Sequence, residues 1–110
     1  MNMNEVIAYE KKRLSIINKM KELENITMNE IVVLSILREC SLEKINLKFI
    51  RHEMNKLDVP FQRPIQYLYN KEFFKKNRSL DDERSIELTH IDYDRIDDIL
   101  KKLKTLLEEI

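Results

Sequence analysis

Apolar residues recur along most of this chain at intervals of three and four, the spacing of one helix face. Met3, Val6, Ile7, Leu14, Ile17 and Met20 stand at near-helical spacing, with Lys11, Lys12, Arg13, Lys19 and Lys21 between them. They predict one long amphipathic helix over about 3–23. Asn25 and Ile26 interrupt it, and Thr27 followed three residues later by Glu30 forms a capping-box pattern for a second helix from Met28 to about Glu39. Ile31, Val32, Val33, Leu34, Ile36 and Leu37 make that helix apolar around most of its girth, so it is expected at the centre of the core.

The pattern then shortens. Ile45 and Leu47 allow a very short strand, and Leu47, Ile50, Met54 and Leu57 step by three, four and three as a third helix, with Lys48, Arg51, Glu53 and Lys56 outside. Asp58 suits a cap and Pro60 a first turn, which places a fourth helix at about 59–71, with Phe61, Ile65 and Leu68 as its buried stripe. Pro64 is discordant there, because deep in a helix it would cost about 3 kcal/mol, so the regular part is expected to begin near Gln62. Phe73 and Phe74 lead into a charged, turn-prone stretch, and the alternation Ser85, Ile86, Glu87, Leu88, Thr89 follows it, which reads as a β-hairpin over about 73–89. A last helix, about 92–109, opens with Asp92 and Asp94 and carries Ile96, Ile99, Leu100, Leu103, Leu106, Leu107 and Ile110 as a wide apolar stripe.

The predicted order is α-α-β-α-α-β-β-α, a mainly α fold with a small hairpin. It is the order of a winged helix-turn-helix with the third and fourth helices as the reading pair. At 110 residues the chain is expected to be one domain, residues 1–110. The first and last helices carry more apolar surface than a compact core needs. Val6, Ile7, Leu14, Ile99, Leu103, Leu106 and Ile110 are therefore expected to bury it in a homodimer.

Composition narrows the chemistry. The sequence has no glycine, which removes the phosphate-binding loops that need bare backbone. With one cysteine, Cys40, it has neither an intramolecular disulfide nor a multi-cysteine metal site. His52 and Glu53 begin like a zinc-protease helix, but the required second histidine is replaced by Lys56, and His90 beside Asp92 reads as structural. No catalytic residues, metal or cofactor are expected. No long apolar segment suggests a membrane span or a leader peptide, and a cytoplasmic location is expected.

Charge is uneven although it sums to zero. Lys plus Arg against Asp plus Glu count 10 to 9 over residues 1–59, 5 to 1 over 60–80 and 5 to 10 over 81–110. The middle block is thus at +4, the local basic face that a nucleic-acid binder requires. Gln62, Arg63, Gln66 and Tyr67 have side chains able to reach base edges or phosphates from the fourth helix. Lys75 and Lys76 would add phosphate contacts, and Arg78 and Arg84 suit narrow A/T-rich minor grooves. A plainer reading makes the helix residues an exposed polar face and the arginines solvated hairpin charges.

The run Lys75 to Leu88, KKNRSLDDERSIEL, closely resembles the wing of the staphylococcal accessory regulator (SarA) family within the MarR-like winged-helix regulators. Asp82, Glu83 and Arg84 match that family's Asp-Glu-Arg triplet, and Arg78 matches a basic position ahead of it. Met28 to Leu37 resembles the family's second helix. The resemblance implies a dimeric, non-enzymatic transcriptional regulator on A/T-rich promoter DNA, its fourth helix in a major groove. It also implies wing contacts from Arg78 and Arg84, with Asp82, and less directly Glu83, orienting Arg84. The competing expectation is a non-catalytic protein-binding module, an antagonist pairing with another regulator through the apolar outer helices.

Overall fold

The computed structural model describes residues 2–78 and 85–109. Its elements are α1 (Met3–Glu24), α2 (Met28–Cys40), β1 (Ile45–Asn46), α3 (Leu47–Lys56), α4 (Gln62–Asn70), β2 (Lys75–Arg78), β3 (Ile86–Thr89) and α5 (Tyr93–Glu109). This is the helical order with a small antiparallel sheet that the periodicity predicts. Asp82, Glu83, Arg84 and Ile110 lie outside the described residues.

Local chemistry sets the helix ends. Asn2 accepts a bond from the Glu5 amide at 2.9 Å, and α1 stops at Asn25, whose left-handed backbone (φ 52°) sends its amide back to the Lys21 carbonyl. The Thr27 amide donates to the Glu30 carboxylate at 3.3 Å, and the Thr27 hydroxyl donates to the same carboxylate. Glu30 is thereby satisfied although only 6% exposed. Asn46 accepts from the Lys48 amide at 2.8 Å to start α3, and Asp92 does the same for α5 through the Arg95 amide at 3.1 Å.

Helix α2 is the central element, packed on α3, α4 and α5. Its Val33, Leu34 and Leu37 are fully buried, together with Met20 of α1, Ile50 and Met54 of α3, Leu68 of α4, Leu88 of β3 and Ile96 of α5. Strand β3 is the middle of the sheet, with Ile45 opposite Leu88 on one side and Lys76 opposite Leu88 on the other. The wing base is tied down separately: the Asp92 amide donates to the Phe73 carbonyl at 2.9 Å, and Arg95 donates to the Lys71 carbonyl at 2.7 Å while its guanidinium lies 3.8 Å from the Phe73 ring centre.

The turn before α4 departs from the sequence reading. Asp58 does not cap α4; it adopts left-handed backbone (φ 56°) and closes α3, its amide donating to the Asn55 carbonyl. Pro60 precedes the helix, and Phe61 is the N-cap residue. Pro64 is therefore not discordant. It occupies the third helical position, where an amide has no intrahelical acceptor, and the first such bond runs from the Ile65 amide to the Phe61 carbonyl.

The outer helices divide differently from expectation as well. Ile99 and Leu106 are only 4% and 7% exposed, because they face the chain's own core, so they are unavailable to a partner. Leu103 is half-buried against that core. Val6, Ile7 and Leu14 remain 45–48% exposed, and Met3 and Tyr9 project further still from the first turns of α1.

Candidate nucleic-acid interface

The helix-turn-helix pair exists because two short amphipathic helices each bury one stripe. In α3 the buried residues are Ile50 and Met54, which leaves Lys48, Arg51 and Asn55, spaced three and four apart, together on the exposed side. In α4 Pro64, Ile65 and Leu68 are buried, and Gln62, Arg63, Gln66 and Asn70 are exposed. The turn brings the two exposed stripes side by side. Arg51 lies 5.1 Å from the ring centre of Phe61, so the α3 guanidinium rests on the residue that starts α4.

Three open grooves mark this face. One of about 390 Å³ is lined by Leu47, Phe61, Gln62, Arg63, Ile65, Gln66 and Lys76. A second, of about 520 Å³, runs along Arg51, Asn55, Pro60 and the start of α4. The third joins Leu47, Lys48 and Arg51 to Ile86 at the base of the wing. Among the described residues their linings include Lys48, Arg51, Arg63 and Lys76 and no carboxylate. Such a surface attracts a polyanion, and low-dielectric walls in a groove strengthen that attraction.

The wing strands extend the face. Residues directly opposite in an antiparallel pair share one side of the sheet, so Lys76 and Arg78 stand on the side of Leu88 and Ile86. Lys76 is half-buried: its ammonium donates to Gln66 Oε1 at 3.4 Å and lies 4.5 Å from the centre of the Tyr69 ring. Arg78, one step outward, and Lys75 on the other side are exposed. The structure thus gathers Gln62, Arg63, Gln66, Lys76 and Arg78 on or beside one surface.

Tyr67 does not join them. Its hydroxyl donates to the Asn25 carbonyl, where α1 ends, and Lys71 lies 4.9 Å from its ring centre. The phenol serves the packing of α4 against the α1–α2 corner. Conversely, Arg51, Lys48 and Asn55 were missed as site residues, although their three-and-four spacing opposite the stripe of Ile50 and Met54 was a readable signal.

Cys40 is a half-buried free thiol whose pKa is pushed up by burial and then by the neighbouring carboxylates Glu39 and Glu53. The Tyr93 phenol is likewise raised, chiefly by burial, and donates to the Leu42 carbonyl at 2.6 Å. His90 Nδ1 stands 3.1 Å from Thr89 Oγ1. No group of three or more His, Cys, Asp or Glu side chains able to hold a metal occurs among the described residues. No helix there is long and apolar enough to cross a membrane.

Comparison with known proteins places this geometry. The family model described as "Transcriptional regulator SarA/Rot" matches residues 15–99. No curated protein matches the sequence significantly. Among solved structures, the YusO protein from Bacillus subtilis superposes with a TM-score of 0.68 at 15% identity, covering 99% of this chain and 83% of that one. Wild-type MarR from E. coli gives 0.64 at 17% identity, covering 99% and 84%. Reduced AbfR bound to DNA gives 0.65 at 21% identity, covering 93% and 74%.

Proposed function

The chain belongs to the SarA/Rot family of transcriptional regulators, and from that premise we propose that it acts by binding double-stranded promoter DNA as a homodimer. In this reading residues 1–110 form a single winged-helix domain that needs neither catalytic residues nor a cofactor and works where the promoter is, in the cytoplasm. The observation that carries it is the grooved face of α3, α4 and β2, lined by Lys48, Arg51, Arg63 and Lys76 without a carboxylate among the described residues.

Helix α4 enters a major groove with Gln62, Arg63 and Gln66 toward base edges or phosphates, and Arg51 and Lys48 flank it on the backbone. Lys75 adds a phosphate contact. Arg78 and Arg84 reach an A/T-rich minor groove, whose narrowness concentrates negative potential. Asp82, with Glu83 beside it, orients Arg84. The related fold of AbfR was solved bound to DNA, which supports a DNA partner for this one. The exposed apolar residues Val6, Ile7 and Leu14 supply the homodimer contact.

The test is a titration of the purified protein against A/T-rich duplexes at rising salt. Four neutralised phosphates predict roughly a hundredfold loss of affinity between about 50 and 200 mM salt. Arg78→Ala and Arg84→Ala are each expected to weaken binding severalfold with unchanged melting temperature, and unaltered affinity in both would remove the wing assignment. The competing reading, a protein-binding antagonist, draws on the same apolar residues of α1. A protein that ignores every duplex at low salt yet pairs stably with another regulator would establish it.

A further inference from the structure

On the exposed side of α4 three amide side chains follow one another at intervals of four: Gln62, Gln66 and Asn70. The middle one is held from both ends. Gln66 Nε2 donates to Asn70 Oδ1 at 2.9 Å, and Gln66 Oε1 accepts from the Lys76 ammonium at 3.4 Å. Lysine carries only donors, so the amide cannot be turned over without setting Nε2 against the ammonium. The Lys76 ammonium is itself steadied over the Tyr69 ring, 4.5 Å from its centre. Hence Gln66 has one orientation and, among the described residues, one unused Nε2 hydrogen and one unused Oε1 lone pair, on a side chain that lines a groove of about 390 Å³.

An oriented donor beside an oriented acceptor is the complement of one base edge. In the major groove adenine offers N7 as acceptor and the N6 amino group as donor, which matches both free positions of the amide. Guanine offers N7 and O6, both acceptors, so Oε1 would face another acceptor. Cytosine and thymine each satisfy only one of the two positions. We propose that Gln66 is the specificity-determining residue of this face, reading an adenine in the major groove, with Lys76 and Asn70 as positioning residues that fix its amide. The inference rests on the DNA-binding reading above. It moves Lys76 from phosphate attraction to base selection.

The experiment starts by selecting duplexes from a randomised pool with the full-length wild-type protein. Dissociation constants are then measured on the selected duplex and on its single-base-pair variants. Wild type is expected to prefer A·T over G·C at one position by about tenfold. Gln66→Ala should bring that preference close to one while the other positions keep theirs. Lys76→Met should erode the same preference, and Lys76→Arg, which again offers only donors, should retain most of it. If Gln66→Ala keeps every base preference, the assignment of Gln66 is overturned. If Lys76→Met weakens all duplexes by one common factor and lowers the salt dependence by about one phosphate, Lys76 is a phosphate contact and its positioning role is overturned. A wild-type protein that enriches no duplex overturns DNA binding itself, an outcome distinct from the other two.

Discussion

The face built from α3, α4 and β2 and the side built from α1 and α5 leave different things uncovered. On the first, the groove linings hold cations and, among the described residues, no carboxylate. On the second, several charges pair within the chain: Arg38 meets Asp97 at 2.9 Å, and Lys102 meets Glu24 at 2.6 Å and Asp98 at 3.3 Å. That side also leaves an apolar stripe uncovered, Val6, Ile7 and Leu14. A total charge of zero therefore conceals an uneven distribution, in which the groove linings are cationic among the described residues. Exposed pairs of the Lys102 type add little stability, so their value lies in where they leave charge absent.

The largest test removes what the two regions share. Leu37 is fully buried in α2, and Leu37→Ala is expected to cost about 2–5 kcal/mol in urea unfolding. Both the DNA face and the arm of α1 should then weaken together, since α2 supports α3, α4 and α5.

The next variants separate the regions. Arg51→Glu combined with Arg63→Glu should lower duplex affinity by about a hundredfold or more in a gel-shift titration, with the oligomeric state unchanged. Val6→Asp combined with Ile7→Asp should do the reverse. Residues 3–11 are exposed throughout, so the fold should survive, while the dissociation constant of the proposed dimer in sedimentation equilibrium should rise about tenfold or more. If the arginine pair changes assembly, or the α1 pair leaves it untouched, the two regions do not divide their labour in this way.

The smallest effect concerns Cys40, at the end of α2. Burial and the carboxylates Glu39 and Glu53 all disfavour its thiolate, so its titration moves upward. Less thiolate at neutral pH means slower alkylation than an unperturbed thiol shows. The iodoacetamide rate, followed by intact mass, should reach half its maximum at a higher pH than that of an unperturbed thiol. A fast reaction at pH 7 would contradict this.

Much of this architecture was legible in the sequence because its signals are local. Three-and-four spacing located the helices, and Thr27 with Glu30 marked the start of α2. The junction before α4 was misread for an equally local reason. Asp58 and Pro60 resemble a cap and a first turn, but Asp58 instead takes left-handed backbone to end α3, while the helix begins at Gln62, where Pro64 had placed the start of its regular part. Which side of an apolar stripe meets its own chain is a tertiary matter, so Ile99 and Leu106 could not be told apart from Val6 and Ile7. The same holds at the interface: that Tyr67 bonds to Asn25, forty-two residues away, and that Lys76 reaches Gln66 from a different element, depends on how the elements close together.

Five junctions of this chain, at Asn25, Ser41, Asp58, Glu72 and His90, adopt left-handed backbone with φ between 51° and 64°, in a sequence without glycine. Each carries a Cβ where bare backbone would sit more easily, a strain of about 1–2 kcal/mol that neighbouring packing must hold in place. In mechanical terms none of these five joints has the free swivel that glycine would give, so each bend is a shape that its own side chain and neighbours must hold.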